Sequence, residues 1–398
     1  MRADNHRTTQ STYSLTIHQI RYLMNSIERF QTCMRHQSPD RPPLDLGATS
    51  LTGMRPGCQR RLLDLLGFSG PAQPSNSGVD ERILEWAGTD FRSVGAIIDL
   101  PSRHTRQISE TCAVDCWGIQ RQKIYGEWQI TSSPLRGATR ADLDRFAWPE
   151  AHLDEAALLK WEQDAIRLQQ AGRYGVIAEH PVYGILELGC WMCGYDDFMM
   201  KMVADTDFVR AFFDKVLAIQ LRVLSAYYGV LGPYIHLTTS GDDFGTQRGP
   251  FVSTRMFEQL IAPYFAVRIA RTKQLSKCYY WHHSCGAVAQ LLPQIIACGV
   301  DILNPVQTSA AGMNPEQLKA ACGDSLTFWG AVDVQQLLPC AAPDAVRQEV
   351  AHLIEVLGRD GGYVVAPAHE MQDDIPPENI AAWVETVRNW GDASTRNK

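Results

Sequence analysis

From about residue 40 onward, short runs rich in Val, Ile and Tyr alternate with longer segments whose apolar residues recur every three or four positions. That alternation is the signature of βα units around a parallel sheet, because buried strands read as brief apolar runs and covering helices as amphipathic stripes. The second half shows it most clearly. Tyr234 to Thr239 precedes a helical segment from Ser253 to Ser276, and Cys278 to His282 precedes a helix with the stripe Val288, Leu291, Leu292 and Ile295, closed by Gly299. Val300 to Asn304 leads to a short helix opening near Pro315. Leu326 to Val332 leads to one with Asp344 as N-cap and the stripe Val346, Val350, Leu353, Ile354 and Leu357. Gly362 to Pro367 is followed by a helix starting at Pro377. Pro43 to Ala48, Arg92 to Gly95 and Gly175 to Glu179 bring the strand candidates to eight, which predicts an α/β fold, a closed (β/α)8 TIM barrel. An open doubly wound sheet is the alternative, but it usually carries a Gly-rich phosphate-binding turn, and neither G-x-G-x-x-G nor G-x-x-x-x-G-K-[ST] occurs.

Two regions break the alternation. Residues 1–36 carry the stripe Ile17, Ile20, Met24, Ile27, Phe30 and Met34, an N-terminal helical extension expected on the barrel's outside, with Met24 an alternative start. Residues 97–135, rich in Thr, Ser and Gln with Trp117, Tyr125 and Trp128, predict a β-rich insertion in a barrel domain spanning 37–398. The 37 Lys and Arg against 44 Asp and Glu give a net charge of −7, which lacks the basic footprint that a phosphate backbone demands and argues against nucleic acid. The charge-free stretch between Arg222 and Asp242 is interrupted by Ser225, Gly229, Gly232, Pro233, His236 and Ser240, so no membrane span is expected. The first twenty residues hold no apolar signal core, and 11 cysteines without a repeating frame read as reduced thiols, so the expected location is cytoplasmic.

A barrel of this kind does its chemistry where the strands end at their C-terminal side. The polar residues there are Glu179, His180, Asp242, Asp243, His283, Cys285, Asn304, Gln307, Asp333, His369 and Glu370. Strand ends emerging into solvent would explain any one of them; a set with His, Cys and His is harder to explain that way. In an extended segment residues two apart face alike, so His283 and Cys285 can approach one metal ion while His282 points away. His369, at the end of the last strand, shares the same mouth and completes a set of three with an open fourth position. Glu370, Asp333 or Glu187 could add a ligand, and spacing does not choose among them. Asp242 and Glu179 are the candidate catalytic groups, for orienting substrate or protonating a departing atom. Asp243, Asn304, Gln307 and Asp333 are the candidate substrate-binding residues. Asp242 and Asp243 read equally well as helix caps ahead of Ser253. Cys190 and Cys193 form a C-x-x-C with no second pair and read as packed thiols, and Tyr279, Tyr280, Trp281 and Trp329 as barrel packing. No G-x-S-x-G elbow is present, so a hydrolase triad is unsupported.

Several ordered blocks carry a resemblance: Tyr280-Trp-His-His-Ser-Cys-Gly286, Gly299-Val-Asp-Ile-Leu-Asn-Pro-Val-Gln307, Gly241-Asp-Asp-Phe-Gly-Thr-Gln247, Gly361-Gly-Tyr-Val-Val-Ala-Pro367, Ile375-Pro-Pro-Glu-Asn-Ile380 and Pro39-Asp-Arg-Pro42. Together they resemble the uroporphyrinogen decarboxylase superfamily, in its corrinoid-dependent methyltransferase branch, over residues 24–392. The resemblance implies a (β/α) barrel with zinc on His283 and Cys285, and with His369 standing where the branch often has Cys. It also implies a corrinoid (cobalamin) brought by a partner protein, since no Asp-x-His-x-x-Gly cobalamin element occurs in this chain. The superfamily's decarboxylases carry an early Met-Arg-Gln-Ala-Gly-Arg element, whereas Pro42 is followed here by Pro-Leu-Asp-Leu-Gly-Ala-Thr. One thiolate and two neutral imidazoles would leave zinc with a formal charge of about +1, a stronger Lewis acid than a two-thiolate site. The function so implied is transfer of a methyl group from a methylated small molecule, with an aryl methyl ether the leading guess, to the Co(I) corrinoid of the partner. A metal-free decarboxylase, a methylcobalamin:thiol methyltransferase and a structural zinc protein are the alternatives.

Overall fold

A computed structural model describes residues 23–96 and 105–393. Its strands are β1 (Phe91–Gly95), β2 (Arg106–Ser109), β3 (Cys112–Val114), β4 (Gln120–Ile124), β5 (Glu127–Ser132), β6 (Gly175–Glu179), β7 (Leu237–Thr238), β8 (Tyr279–His283), β9 (Ile302–Asn304), β10 (Thr327–Val332) and β11 (Tyr363–Pro367). Seven of them, in the order β1-β6-β7-β8-β9-β10-β11, form one parallel sheet whose neighbours are also neighbours in sequence, as βα repetition requires. The gap between β11 and β1 is closed by the first predicted strand. Leu44 bridges Val365 in parallel, Asp45 N–H donates to Val365 O at 2.9 Å, and Asp90 N–H donates to Leu44 O at 2.9 Å. Pro42 and Pro43 have no N–H to give, which keeps this eighth stave to a bridge. The remaining strands occur where the periodicity puts them. The stretch Tyr234 to Thr239 contracts to β7 behind a 3-10 turn at Gly232–Tyr234, and Ala342, not Asp344, occupies the N-cap of helix Pro343–Leu357.

Period-two geometry divides the barrel interior into layers. Phe91, Ile177, Leu237, Trp281, Ile302, Trp329 and Val364 point inward from the seven strands and form one apolar cluster. Trp281 stacks on Trp329 at 4.5 Å and 20°, and Phe91 meets Trp329 at 4.5 Å. Two residues further along each strand come Ser93, Glu179, Thr239, His283, Asn304, Ala331 and Ala366, so the interior turns polar within one layer.

The amphipathic helix Ser26–Met34 does not lie on the outer face. Its Phe30 is fully buried in the same interior cluster, edge-on to Phe91 at 5.3 Å and Tyr279 at 5.8 Å, and the helix closes the end opposite the strand exits. The stripe announces a buried face but not the surface that covers it. Arg29 anchors the helix, pairing with Asp90 at 2.6 Å and Asp40 at 2.8 Å. Ile17 and Ile20 lie outside the described residues, as does 97–104 of the insertion. The described part of the insertion is a four-stranded antiparallel sheet, β2-β3-β4-β5. The long helix Thr206–Leu231 belongs to an apolar stretch, Thr206–Tyr234, that by length and composition could cross a membrane. It buries Phe208, Phe212, Val216, Val223 and Tyr227 in the protein core.

Phe30→Ala should cost about 3–5 kcal/mol, because the cavity it leaves is walled by rigid rings. Guanidinium unfolding measures this, and a loss under about 1 kcal/mol would show the helix to be peripheral.

Candidate metal centre

Strand β8 ends on His283, and its inward register carries that imidazole into the polar layer. The ring is locked from behind. Asn304 Nδ2 donates to Trp329 O at 3.1 Å, which fixes the amide so that Oδ1 faces His283 Nδ1 at 2.5 Å. Nδ1 therefore holds the proton, and Nε2 presents a bare lone pair. That lone pair faces Cys285 Sγ at 3.3 Å. His369, two residues beyond β11, crosses His283 edge-to-face with ring centroids 5.8 Å apart. One donor atom from each of His283, Cys285 and His369 lies within 4.8 Å of the other two. Among the described residues this is the one such cluster of three or more His, Cys, Asp or Glu. Two imidazoles and a sulfur at this separation suit a tetrahedral borderline-soft ion such as zinc, with a position left over. Burial and the nearby Asp243 and Glu187 carboxyl groups push the Cys285 thiol up, so without a cation the sulfur keeps its proton. Burial and the neighbouring His283 push His369 down, which keeps it in the neutral, ligating form.

Carboxyl groups surround the triad. Asp243 accepts Cys285 N–H at 2.7 Å and lies 3.9 Å from His283 Nε2. Asp242 points the other way: its two oxygens accept Leu186 N–H at 3.1 Å and Glu187 N–H at 2.9 Å, at the start of helix Ile185–Cys193. It caps that helix and not the one ahead of Ser253, which caps its own first turn through Met256 N–H at 3.2 Å. Gly184 makes this approach possible, since a Cβ there would sit 2.2 Å from the Asp242 carboxyl carbon. Glu187 is held well above the usual carboxylate range by burial and by Asp243 and Asp242. Elsewhere in the polar layer, Glu179 accepts Ser50 N–H at 2.9 Å and Thr239 Oγ1 at 3.1 Å, and burial raises it too. Asp45 accepts Trp329 Nε1 at 2.9 Å and is pushed up to about 6 by burial.

Of the expected substrate-binding residues, Asn304 is committed to His283 and Trp329, and Gln307 Oε1 accepts Gly286 N–H at 2.7 Å. Asp333 Oδ1 collects the N–H groups of Gln335, Gln336 and Leu337 at the rim and does not reach the triad. Asn304 and Asp243 therefore stand beside the ligands, Asn304 behind His283 and Asp243 at the Cys285 backbone. Cys190 and Cys193 are buried thiols, as packing predicts. His282 faces away from the interior, with Nδ1 3.0 Å from Ser240 Oγ and its ring stacked on Phe244 at 5.2 Å. Two roles escaped the sequence: Asn304 behind His283, and Glu187 as a carboxyl that burial and two aspartates hold above the usual range.

The family model described as uroporphyrinogen decarboxylase (URO-D) matches residues 136–390, which hold every residue of the triad. The chain belongs to the uroporphyrinogen decarboxylase family. Among curated relatives, the uroporphyrinogen decarboxylases of Vibrio campbellii and Vibrio vulnificus are each 36% identical over 97 residues, 24% of this chain. The chain spans 26% of the length of those relatives. Among solved structures, a methyltransferase from Methanosarcina mazei superposes with a TM-score of 0.62 and 17% identity, covering 92% of this chain and 99% of that one. At that identity the likeness shows the shared barrel.

Zinc titration of the metal-free protein should release about one proton per ion at pH 7, from Cys285, seen in calorimetry across buffers of different ionisation enthalpy. Asn304→Ala should weaken zinc by about 10- to 100-fold without unfolding the chain, and unchanged affinity would remove Asn304 from the site. Folded Asp45 titrates near 6 against 3.8 unfolded, so the folded chain retains a proton that the unfolded chain loses. Stability should fall as pH rises from about 4 to 6 and then level off. Asp45→Asn should narrow the difference in unfolding free energy between pH 4 and pH 7 by about 2 kcal/mol.

Proposed function

We propose that this chain is a zinc methyltransferase. On this reading it moves a methyl group from a methylated small molecule, an aryl methyl ether as the leading case, to the Co(I) corrinoid of a partner protein in the cytoplasm. The observation that carries the reading is the preset triad: His283 tautomer fixed by Asn304, Nε2 aimed at Cys285 Sγ, and His369 alongside. His283, Cys285 and His369 would hold the ion. Bound there, zinc would supply Lewis acidity towards a donor heteroatom.

The remaining work falls to the chain's own groups. Asp243 holds the Cys285 backbone, and Asn304 keeps His283 from turning. A departing alkoxide or phenoxide needs a proton, and a carboxyl group can give one only if it is still protonated at working pH. Asp242 is raised to about 6, but both its oxygens are occupied by helix N–H groups; those of Glu179 are held by Ser50 and Thr239. Glu187 is the better donor, because burial and the neighbouring Asp243 and Asp242 favour its protonated form. The corrinoid protein would dock over the strand exits, because the opposite end is closed by Phe30.

A porphyrinogen decarboxylase, the second reading, needs free guanidinium groups for its substrate's carboxylates. The early arginines are already paired: Arg41 with Asp90 at 2.8 Å, Arg92 with Glu81 at 2.6 Å, and Arg55 with Glu127 and Glu370, each at 3.0 Å. This favours the methyltransferase reading.

Incubation with free cob(I)alamin and a panel of methoxylated aromatics should convert it to methylcob(III)alamin, followed by absorbance. Cys285→Ala should abolish the conversion. Glu187→Gln should slow it by about 10²- to 10⁴-fold while leaving zinc content unchanged. Carbon dioxide release from a porphyrinogen, unaffected by chelator, would replace this reading with the decarboxylase.

A further inference from the structure

The insertion sheet β2-β3-β4-β5 is separate from the barrel sheet, and one of its faces looks back at the barrel. Ile130 is the cross-strand partner of Arg121, and Trp128 lies two residues before Ile130, so the three side chains share that face. Opposite stands Trp191 of helix Ile185–Cys193, its ring centroid 5.5 Å from the Arg121 guanidinium carbon. Sheet and helix enclose a chamber of about 1230 Å³. That exceeds the roughly 300–1000 Å³ of ordinary small-ligand pockets. Its walls are flat groups: the indoles of Trp128 and Trp191, the phenols of Tyr183 and Tyr195, and the guanidinium of Arg121. Tyr183 meets Trp191 edge-on at 5.0 Å, which fixes the plane of the indole.

The chamber adjoins the metal centre on two sides. Glu187 and Trp191 are four residues apart on one helix, hence on one face and about 6 Å along it. The Tyr195 hydroxyl is close enough to Glu187 and Asp243 to feel both charges, and Asp243 holds the Cys285 N–H. On the other side Arg55 joins Glu127, the residue before Trp128, to Glu370, the residue after His369, at 3.0 Å each. The charges of the lining are already spent. Arg121 pairs with Asp115, and Arg136 with Asp196 at 2.5 Å. Cys190 keeps its proton, because burial pushes the thiol up. What the walls offer a ligand is planar surface, which rewards a planar molecule by stacking.

We propose that this chamber holds the body of the methyl donor, and that the body is an uncharged aromatic system of more than one ring. The inference rests on the methyltransferase reading and narrows its substrate. A single ring fills little of the space, and a carboxylate on the rings would meet no cation that lacks a partner. Trp128 and Trp191 are then the residues that set specificity, with Tyr195 at the passage to the triad. The insertion, which the barrel does not need for closure, supplies one wall of the substrate site.

Two measurements on the full chain separate the chamber from the chemistry. Without any corrinoid, calorimetry should show 2-naphthol binding about tenfold more tightly than phenol. Trp191→Ala and Trp128→Ser should each weaken 2-naphthol by about tenfold, and Trp191→Phe should restore most of the loss. Trp128 is 43% exposed on the insertion sheet, so its variant serves if Trp191→Ala does not fold. With zinc and cob(I)alamin, 2-methoxynaphthalene should show a lower KM than methoxybenzene or 6-methoxy-2-naphthoate, and Trp128→Ser should raise that KM and not lower kcat. Equal affinity for phenol and 2-naphthol, or binding that neither tryptophan variant alters, overturns the proposal even where methyl transfer occurs. Tryptophan-dependent binding of 2-naphthol with no methyl transfer from any ether supports the chamber and overturns the methyltransferase reading instead.

Discussion

The structure depends on a single layer of large side chains inside the barrel. Trp281, Trp329 and Phe91, with Phe30 inserted from below, fill the space that seven strands would otherwise leave around the axis. Their contacts set the rotation of every strand. Because side chains alternate, setting Trp281 inward obliges His283 to face inward also, and Ile302 does the same for Asn304. The apolar layer therefore builds the polar one: the pair that orients the candidate ligand exists because the residues two positions earlier are large and apolar. Trp329 serves twice, since its indole N–H meets Asp45 and its carbonyl holds Asn304.

Above this layer the site is dominated by carboxyl groups that burial does not allow to ionise freely. Asp45, Glu179, Glu187 and Asp242 are all shifted upward, and each is satisfied or modulated by different neighbours. A divalent ion changes that balance, because positive charge beside Cys285 favours its ionised form. Membership of the family is compatible with more than one chemistry on this barrel, and it is the donor set at the mouth, not the fold, that argues for methyl transfer.

Much of this was legible in the chain. The eight staves could be read because buried parallel strands are short apolar runs punctuated by helical stripes, and the His283 and Cys285 pair because period two holds at a strand exit. His369 followed from the barrel's closure, which brings the last strand's end to the same mouth. The rest depends on contacts between residues distant in sequence. Nothing near Asp242 announces that it caps a helix begun more than fifty residues earlier. A stripe such as Ile27, Phe30 and Met34 declares a buried face without naming its partner, which is why the first helix was expected on the flank. Glu187 did leave a signal: a lone carboxylate in the otherwise apolar run Ile185–Cys193, the helix that follows β6. Asn304 left none, because an amide at a strand exit looks the same whether it greets a ligand or braces a neighbour.

Phe30 and its ring of aromatic partners make the barrel a vessel with one doorway. Whatever enters must leave by the same opening. Traffic at such a doorway is sequential, and the spent compound has to clear it before the next visitor can settle.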